Sequence, residues 1–252
     1  YHLLTHTSGM GDDADEEAGE DYEELWKTRP NYSVRHTSDM LEQFIHKPAN
    51  FRPGQGCRYN NCAFVLLGLV LEKLTGKGYR EHVADAVFRA AGMSHTGFFA
   101  MDEPAPGVAE GYAAVCDDAG NVVGWRKNIS SFPPIGSPDS GAYTTAGDLD
   151  TFMRALRGAR LLSPGMTAQI MTPKEEYRRR PALVHMTGFA FEFTVSIEGG
   201  APQCMFKDGV NPGVACVLQY YPAADATVAV LANQDCDVWA LARDIRSFIE
   251  IP

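Results

Sequence analysis

Residues 63–71, Ala-Phe-Val-Leu-Leu-Gly-Leu-Val-Leu, constrain this chain more than any other stretch, because they are apolar around nearly the whole circumference of a helix. Such a helix needs cover on every side, which predicts a buried core helix rather than an amphipathic surface one. Just ahead of it, the loop Phe51-Arg52-Pro53-Gly54-Gln55-Gly56 delivers Tyr59, Asn60 and Asn61 onto the helix start. Side chains at the mouth of a buried helix are held rigidly. A tyrosine, with a pKa of about 10 in water, works as a general base only where a cation lowers that value, and an asparagine amide offers both a donor and an acceptor. Read alone, Tyr-x-Asn is also compatible with a plain capped helix terminus with a tyrosine packed beside it.

Charge narrows the function classes. The formal net charge is −10, and residues 12–24 contain nine acids and no base, leaving the rest of the chain close to neutral. Nucleic-acid binding needs a basic surface, and the only basic clusters are Trp125-Arg126-Lys127 and Arg178-Arg179-Arg180, the latter read as a solvated turn. Unpaired carboxylates are costly to desolvate, so the acidic run is expected to be a solvated loop or frayed helix, tied down by Tyr22, Leu25 and Trp26. Six cysteines, at 57, 62, 116, 204, 216 and 236, form neither a C-x-x-C pair nor a zinc spacing and are read as free thiols, which leans towards a reducing compartment. No apolar run reaches the length of about 18 to 20 residues that spans a bilayer. His2 and His6 lack an acidic third ligand and Ser8 lacks a nucleophile elbow, so the opening segment is read as structural and no metal is expected.

The remaining pattern is helical first and strand-like later. Ser38-Asp39 predicts a helix stopping before Pro48, residues 79–91 a second, and residues 111–125 a hairpin around Asp117-Asp118-Ala119-Gly120-Asn121. Thr145-Ala146-Gly147-Asp148 opens a further helix, and a short one follows over 164–171. Runs at 189–197, 203–207, 214–221 and 227–232 then read as antiparallel strands, with a terminal helix over 238–249 to cover them. The expected architecture is α+β, with a mainly helical part over 1–180 and the strands and last helix over 181–252.

Several motifs occur in a telling order: Leu3-Leu4-Thr5-His6-Thr7-Ser8-Gly9-Met10, Pro53-Gly54, Tyr59-x-Asn61 leading into Leu66-Leu67-Gly68, Ala91-Gly92-Met93-Ser94-His95-Thr96, Ser140-Gly141-Ala142-Tyr143-Thr144-Thr145, Lys207-Asp208-Gly209 and Leu231-Ala232-Asn233. As a set they resemble the serine β-lactamase and penicillin-binding-protein superfamily, on its class C β-lactamase, D,D-peptidase and esterase side. The resemblance implies the β-lactamase/transpeptidase-like fold, an antiparallel sheet packed by helices with a mainly helical subdomain. It also implies acyl-enzyme hydrolysis of a β-lactam, D-alanyl peptide or ester, without metal or organic cofactor. Tyr59, Asn61 and Lys207 take the catalytic positions and Gly141, Asp208 and Gly209 the substrate groove, and the partner is a small-molecule or peptide substrate. Asp208 stands where a hydroxyl residue is usual. An acid there is expected to repel a substrate carboxylate, favouring an ester or neutral amide.

The family nucleophile is the serine of Ser-x-x-Lys, and no Ser-x-x-Lys occurs between Tyr1 and Pro252. The expectation is therefore a fragment whose nucleophile segment and two strands lie upstream or on a second chain, inactive without them. The alternative is a noncatalytic binding or sensor module. Lacking those parts, the chain is expected to leave one face of the 63–71 helix and one sheet edge uncovered. Members of the resembled family are often exported, which leaves the compartment open.

Overall fold

The computed structural model describes residues 1–249. The 63–71 stretch lies within helix α1 (Cys62–Thr75), ended by Gly76 in the left-handed region at φ +69°, a conformation that glycine adopts without strain. At its start, Asp12 accepts the Asn61 and Cys62 N–H groups, each at 2.9 Å, and the Asn60 side chain accepts Ala63 N–H at 2.7 Å. Three of the helix's orphan donors are satisfied in this way. One side of α1 packs through Cys62 and Val65 on Val34, Met40 and Phe44, and Gly68 admits Pro138 so closely that a Cβ there would lie 2.2 Å from its Cγ. The expected all-round burial is not met: Val70 is 50% exposed and Leu74 80%. The second half of the helix thus presents apolar side chains to solvent at Val70 and Leu74.

The acidic run is not simply solvated. Asp12 and Asp13 are buried, 4% and 2% exposed, because the N-terminal end of α1 offers Asp12 the hydrogen bonds that water would otherwise supply. Burial, together with the charge of Asp12, pushes the Asp13 carboxyl up to about 7. Further along, Asp15 pairs with Arg58, Glu20 with Lys47 and Glu23 with Arg126, so scattered bases pin the run to the surface. A 3-10 turn, Tyr22–Trp26, supplies the expected anchor, with Trp26 packed against the cluster beneath α1.

Helix α2 (Tyr79–Val83) continues as a π-helical segment, Ala84–Arg89, and the helix expected near residue 38 is a 3-10 helix, Thr37–Gln43, in which Asp39 accepts the Arg35 and His36 N–H groups. The hairpin forms as β1 (Tyr112–Cys116) and β2 (Val122–Lys127), closed by Asp117 accepting from the Ala119 and Asn121 N–H groups. Thr145 caps helix α3 (Ala146–Arg157) by accepting Asp148 N–H, and Ser163 caps α4 (Pro164–Ile170).

The sheet has six antiparallel strands in sequence order: β3 (Glu175–Arg179), β4 (Leu183–Thr187), β5 (Glu192–Ser196), β6 (Cys204–Asn211), β7 (Val214–Tyr221) and β8 (Ala226–Ala232). Two of these precede the strands read from the sequence. Arg178 and Arg179, expected in a turn, lie on edge strand β3, where charged side chains guard an unpaired edge. Alternation along the strands feeds two cores. On one face Met153 and Leu156 of α3 pack on Phe193, Met205, Leu218 and Tyr220; on the other Val238 and Ala242 of α5 (Val238–Arg246) pack on Ala215 and Val217. This mixed helix and antiparallel-sheet arrangement is the α+β architecture expected from the sequence.

The opening segment positions the site. Thr187 donates its hydroxyl to Thr5 O at 3.0 Å and Ala190 N–H bonds Leu4 O, tying the segment to the β4–β5 region. On its other side, Gly54 and Arg58 N–H groups bond Thr7 O and His6 O. Residues 1–8 therefore wedge the mouth of α1 against the sheet. All six cysteines are free, and among the described residues no helix is long and apolar enough to cross a membrane.

Candidate active site

Tyr59 and Lys207 are 148 residues apart in sequence, yet the Lys207 ammonium lies 4.5 Å from the centre of the Tyr59 ring. The first comes from the loop before α1 and the second from the middle of β6, brought together by the wedge of residues 1–8. Behind Tyr59 sits His6, 2% exposed, its ring 4.7 Å from the tyrosine ring. His6 Nδ1 accepts Asn60 N–H at 3.1 Å, so the neutral imidazole carries its proton on Nε2. Burial, then the neighbouring Lys207 charge, lower its pKa to about 4 and keep the ring neutral around pH 7.

Glu192, the first residue of β5, was not singled out by the sequence reading. One carboxylate oxygen accepts from Lys207 Nζ at 2.9 Å and the other meets His185 Nε2 at 2.6 Å. Burial would raise the Glu192 carboxyl, but the His185 hydrogen bond and the Lys207 charge outweigh it and hold it at about 2. An ionised carboxylate can only accept, so His185 donates. Lys207 answers in kind: burial alone would lower its pKa, but Tyr59 and Glu192 more than offset that and hold the ammonium above its usual range. The result is a chain of contacts, His185–Glu192–Lys207–Tyr59, in which the lysine's charge is already matched.

The other expected site residues behave differently. Asn61 opens α1 and makes no capping bond with its side chain; Asp12 and Asn60 do the capping, which releases the Asn61 amide from that task. Asp208 is the next residue after Lys207 on a strand, so it turns to the opposite face, where its carboxylate accepts the Trp239 indole N–H at 3.1 Å. The acid expected to repel a substrate carboxylate therefore points into the α5 side of the sheet, and Glu192 is the acid beside Lys207. Gly209, exposed and two residues on, shares the Lys207 side of the strand and leaves it bare. Gly141, at φ +92°, crosses Gly136 so closely that a Cβ would lie 2.6 Å from Gly136 Cα, a demand of its own loop. A separate cavity of about 320 Å³, walled by Phe99, Asp102, Glu110, Lys127 and Tyr143, contains neither Tyr59 nor Lys207, and its charged walls are engaged in Arg35–Asp102 and Lys127–Glu110 pairs.

With this geometry in place, the comparisons with known proteins decide the family. The beta-lactamase family pattern matches residues 1–246. The chain belongs to the beta-lactamase family. A penicillin-binding protein from Bacillus halodurans superposes with a TM-score of 0.91 at 36% identity, covering 98% of this chain and 73% of that one. Esterase EstB from Burkholderia gladioli is 34% identical over 104 residues, 40% of this chain and 26% of the esterase. A D-stereospecific amidohydrolase from Streptomyces sp. shares the fold, with a TM-score of 0.73 at 21% identity over 93% of this chain and 67% of its own. This beta-lactamase-family chain spans at most half the length of the curated relatives it matches.

Proposed function

We propose that this chain carries the substrate groove of a β-lactamase-family serine hydrolase that transfers the acyl group of an ester or neutral amide, its nucleophilic serine supplied by a Ser-x-x-Lys segment outside these 252 residues. The observation that carries this reading is the contact of Lys207 with the face of Tyr59 while Glu192 holds its ammonium. In the proposed cycle the serine attacks the substrate carbonyl, and Tyr59, with the lysine of that segment, takes the serine proton and returns it to the leaving group. Asn61 and Lys207 hold the substrate in place, and water releases the acyl-enzyme. Because Glu192 matches the Lys207 charge, a substrate carboxylate gains little net attraction there, whereas a neutral carbonyl compound loses nothing. Among the relatives, the name of Esterase EstB fits the ester class, while the penicillin-binding proteins and the D-alanyl-D-alanine carboxypeptidase carry names of the peptide class.

A noncatalytic binder is the second reading, favoured by the absence of Ser-x-x-Lys from the sequence. An assay of the purified chain with nitrocefin and p-nitrophenyl esters tests the division of labour. The expected rate is that of buffer. Turnover with an acyl adduct mapped to Ser8 or Ser140 would overturn the assignment of the nucleophile to another segment. The coding sequence upstream separates enzyme from binder: Ser-x-x-Lys in frame supports the hydrolase.

A further inference from the structure

Beneath the first turn of α1, three side chains with metal-ligating atoms meet from segments about fifty residues apart. Asp12, Asp13 and Cys62 are 4%, 2% and 1% exposed, and one carboxylate oxygen from each acid and the thiol sulfur all lie within 4.8 Å of one another. Asp12 is oriented by the two helix N–H groups it accepts, and Asp13 Oδ1 accepts Ala14 N–H at 2.9 Å. Asp13 Oδ2 is different: it is buried and has no hydrogen-bond partner. A buried oxygen left without a partner is costly, and it calls for an occupant. The nearby bases do not supply one. Lys47 donates to the Asp13 main-chain oxygen and to Glu20, and Arg58 pairs with Asp15; among the described residues no ion pair reaches the Asp12 or Asp13 carboxylates.

We propose that Asp12, Asp13 and Cys62 form a binding site for a thiophilic divalent cation of the Zn²⁺ class. The donor set selects the ion: magnesium and calcium ask for about six or more oxygen ligands, whereas a thiolate with two carboxylates suits zinc. Ligand atoms around a tetrahedral zinc stand about 3.5 Å apart, so a small rotation of Asp13 into the gap closes the site from the observed spread. On binding, the Cys62 thiol gives its proton to solvent as the sulfur–metal bond forms, and no oxidant or reductant takes part. Two carboxylates and one thiolate carry three negative charges against the ion's two, leaving a net charge of −1, and a water completes the fourth position. The cation would fasten the 12–13 segment to the first turn of α1, immediately after Tyr59 and Asn61. The ligand spacing matches no short metal motif, so the site is not visible in the sequence pattern.

The chelator-treated chain titrated with Co²⁺ and Zn²⁺ tests the site. The expected result is one equivalent of Co²⁺ with a thiolate-to-cobalt charge-transfer band, and a melting temperature that climbs with Zn²⁺ concentration. Both effects should vanish in Asp13→Asn and Cys62→Ser and survive in Cys57→Ser. A wild-type chain with no band and no shift, or a band kept in Cys62→Ser, overturns the proposal. X-ray absorption at the zinc edge of the wild-type chain needs no variant. One sulfur among oxygen neighbours is expected, and a shell with no sulfur or with several refutes the assignment.

Discussion

The ion pair of Glu192 and Lys207 is where charge and specificity meet. Glu192→Gln leaves Lys207 unmatched above Tyr59. Losing one partner of a buried pair costs about 3 to 5 kcal/mol, and since the Lys207 side chain keeps about a third of its surface in water, roughly 2 kcal/mol is expected. The released charge should also raise affinity for a carboxylate-bearing ligand such as an acetylated D-alanyl dipeptide about tenfold, leaving its amide unchanged. Calorimetry on both ligands checks this, and equal affinities in wild type and variant would argue against Glu192 as the neutralising group. His6 gives a pH signature. Its folded value, about 4, lies below the ordinary 6.5, so the unfolded chain takes up a proton that the folded chain refuses. The stabilisation is therefore complete above pH 6.5 and declines as pH falls to 4, by about 3 kcal/mol at most. Glu192 adds a loss in the same direction further down, as pH falls from about 4.5 towards 2. Urea midpoints across pH 4 to 7 should slope for wild type and flatten for His6→Asn; a flat wild-type profile would count against a buried neutral His6. Of these residues, Tyr59 and Lys207 were legible because each sits in a recognisable motif. Glu192 was not, since a lone glutamate in an apolar strand carries no spacing signal. Asp208 was misread because adjacent residues on a strand face opposite ways.

At the scale of elements, α1 is organised by its N-terminal end. The sequence made the helix plain, and the later strands and hairpin were readable from alternation and turn residues. Its cap was not readable, because Asp12 lies about fifty residues upstream inside a run whose composition speaks for solvent. The same blindness hid β3, whose Glu- and Arg-rich edge looks like a loop until β4 pairs with it. We predict that Asp12→Ala, which strands the Asn61 and Cys62 N–H groups, lowers stability by about 2 kcal/mol, read as a shifted urea midpoint with unchanged slope. Asn60→Ala should cost about half as much, since it removes one bond to Ala63 N–H. If Asp12→Ala were neutral, the buried acid would not be the helix cap described above.

For the whole molecule, the exposed apolar surface is the feature that needs a consequence. Val70 and Leu74 stand out on α1, and Leu241 and Ile245 on α5, 48% and 42% exposed. Each such side chain forgoes roughly 1.5 to 3 kcal/mol of burial, a sizeable share of the stability of a typical domain at about 5 to 15 kcal/mol. We predict that the chain self-associates at micromolar concentration and that Val70→Lys with Leu74→Lys weakens association without lowering the melting temperature. Sedimentation at several concentrations reads this directly, and a sharp, concentration-independent monomer melt of the wild-type chain would contradict it. The central claim is that the Tyr59–Lys207 groove performs acyl transfer once a Ser-x-x-Lys segment is present. Its most direct test is p-nitrophenyl ester turnover by the chain mixed with a polypeptide carrying a Ser-x-x-Lys segment of the family. The account predicts turnover and a serine-bound acyl adduct in the mixture, background rates for either part alone, and at least a hundredfold loss, about 2.7 kcal/mol, in Tyr59→Phe. Undiminished turnover in the Tyr59→Phe mixture, or full turnover by the 252-residue chain alone, would contradict it.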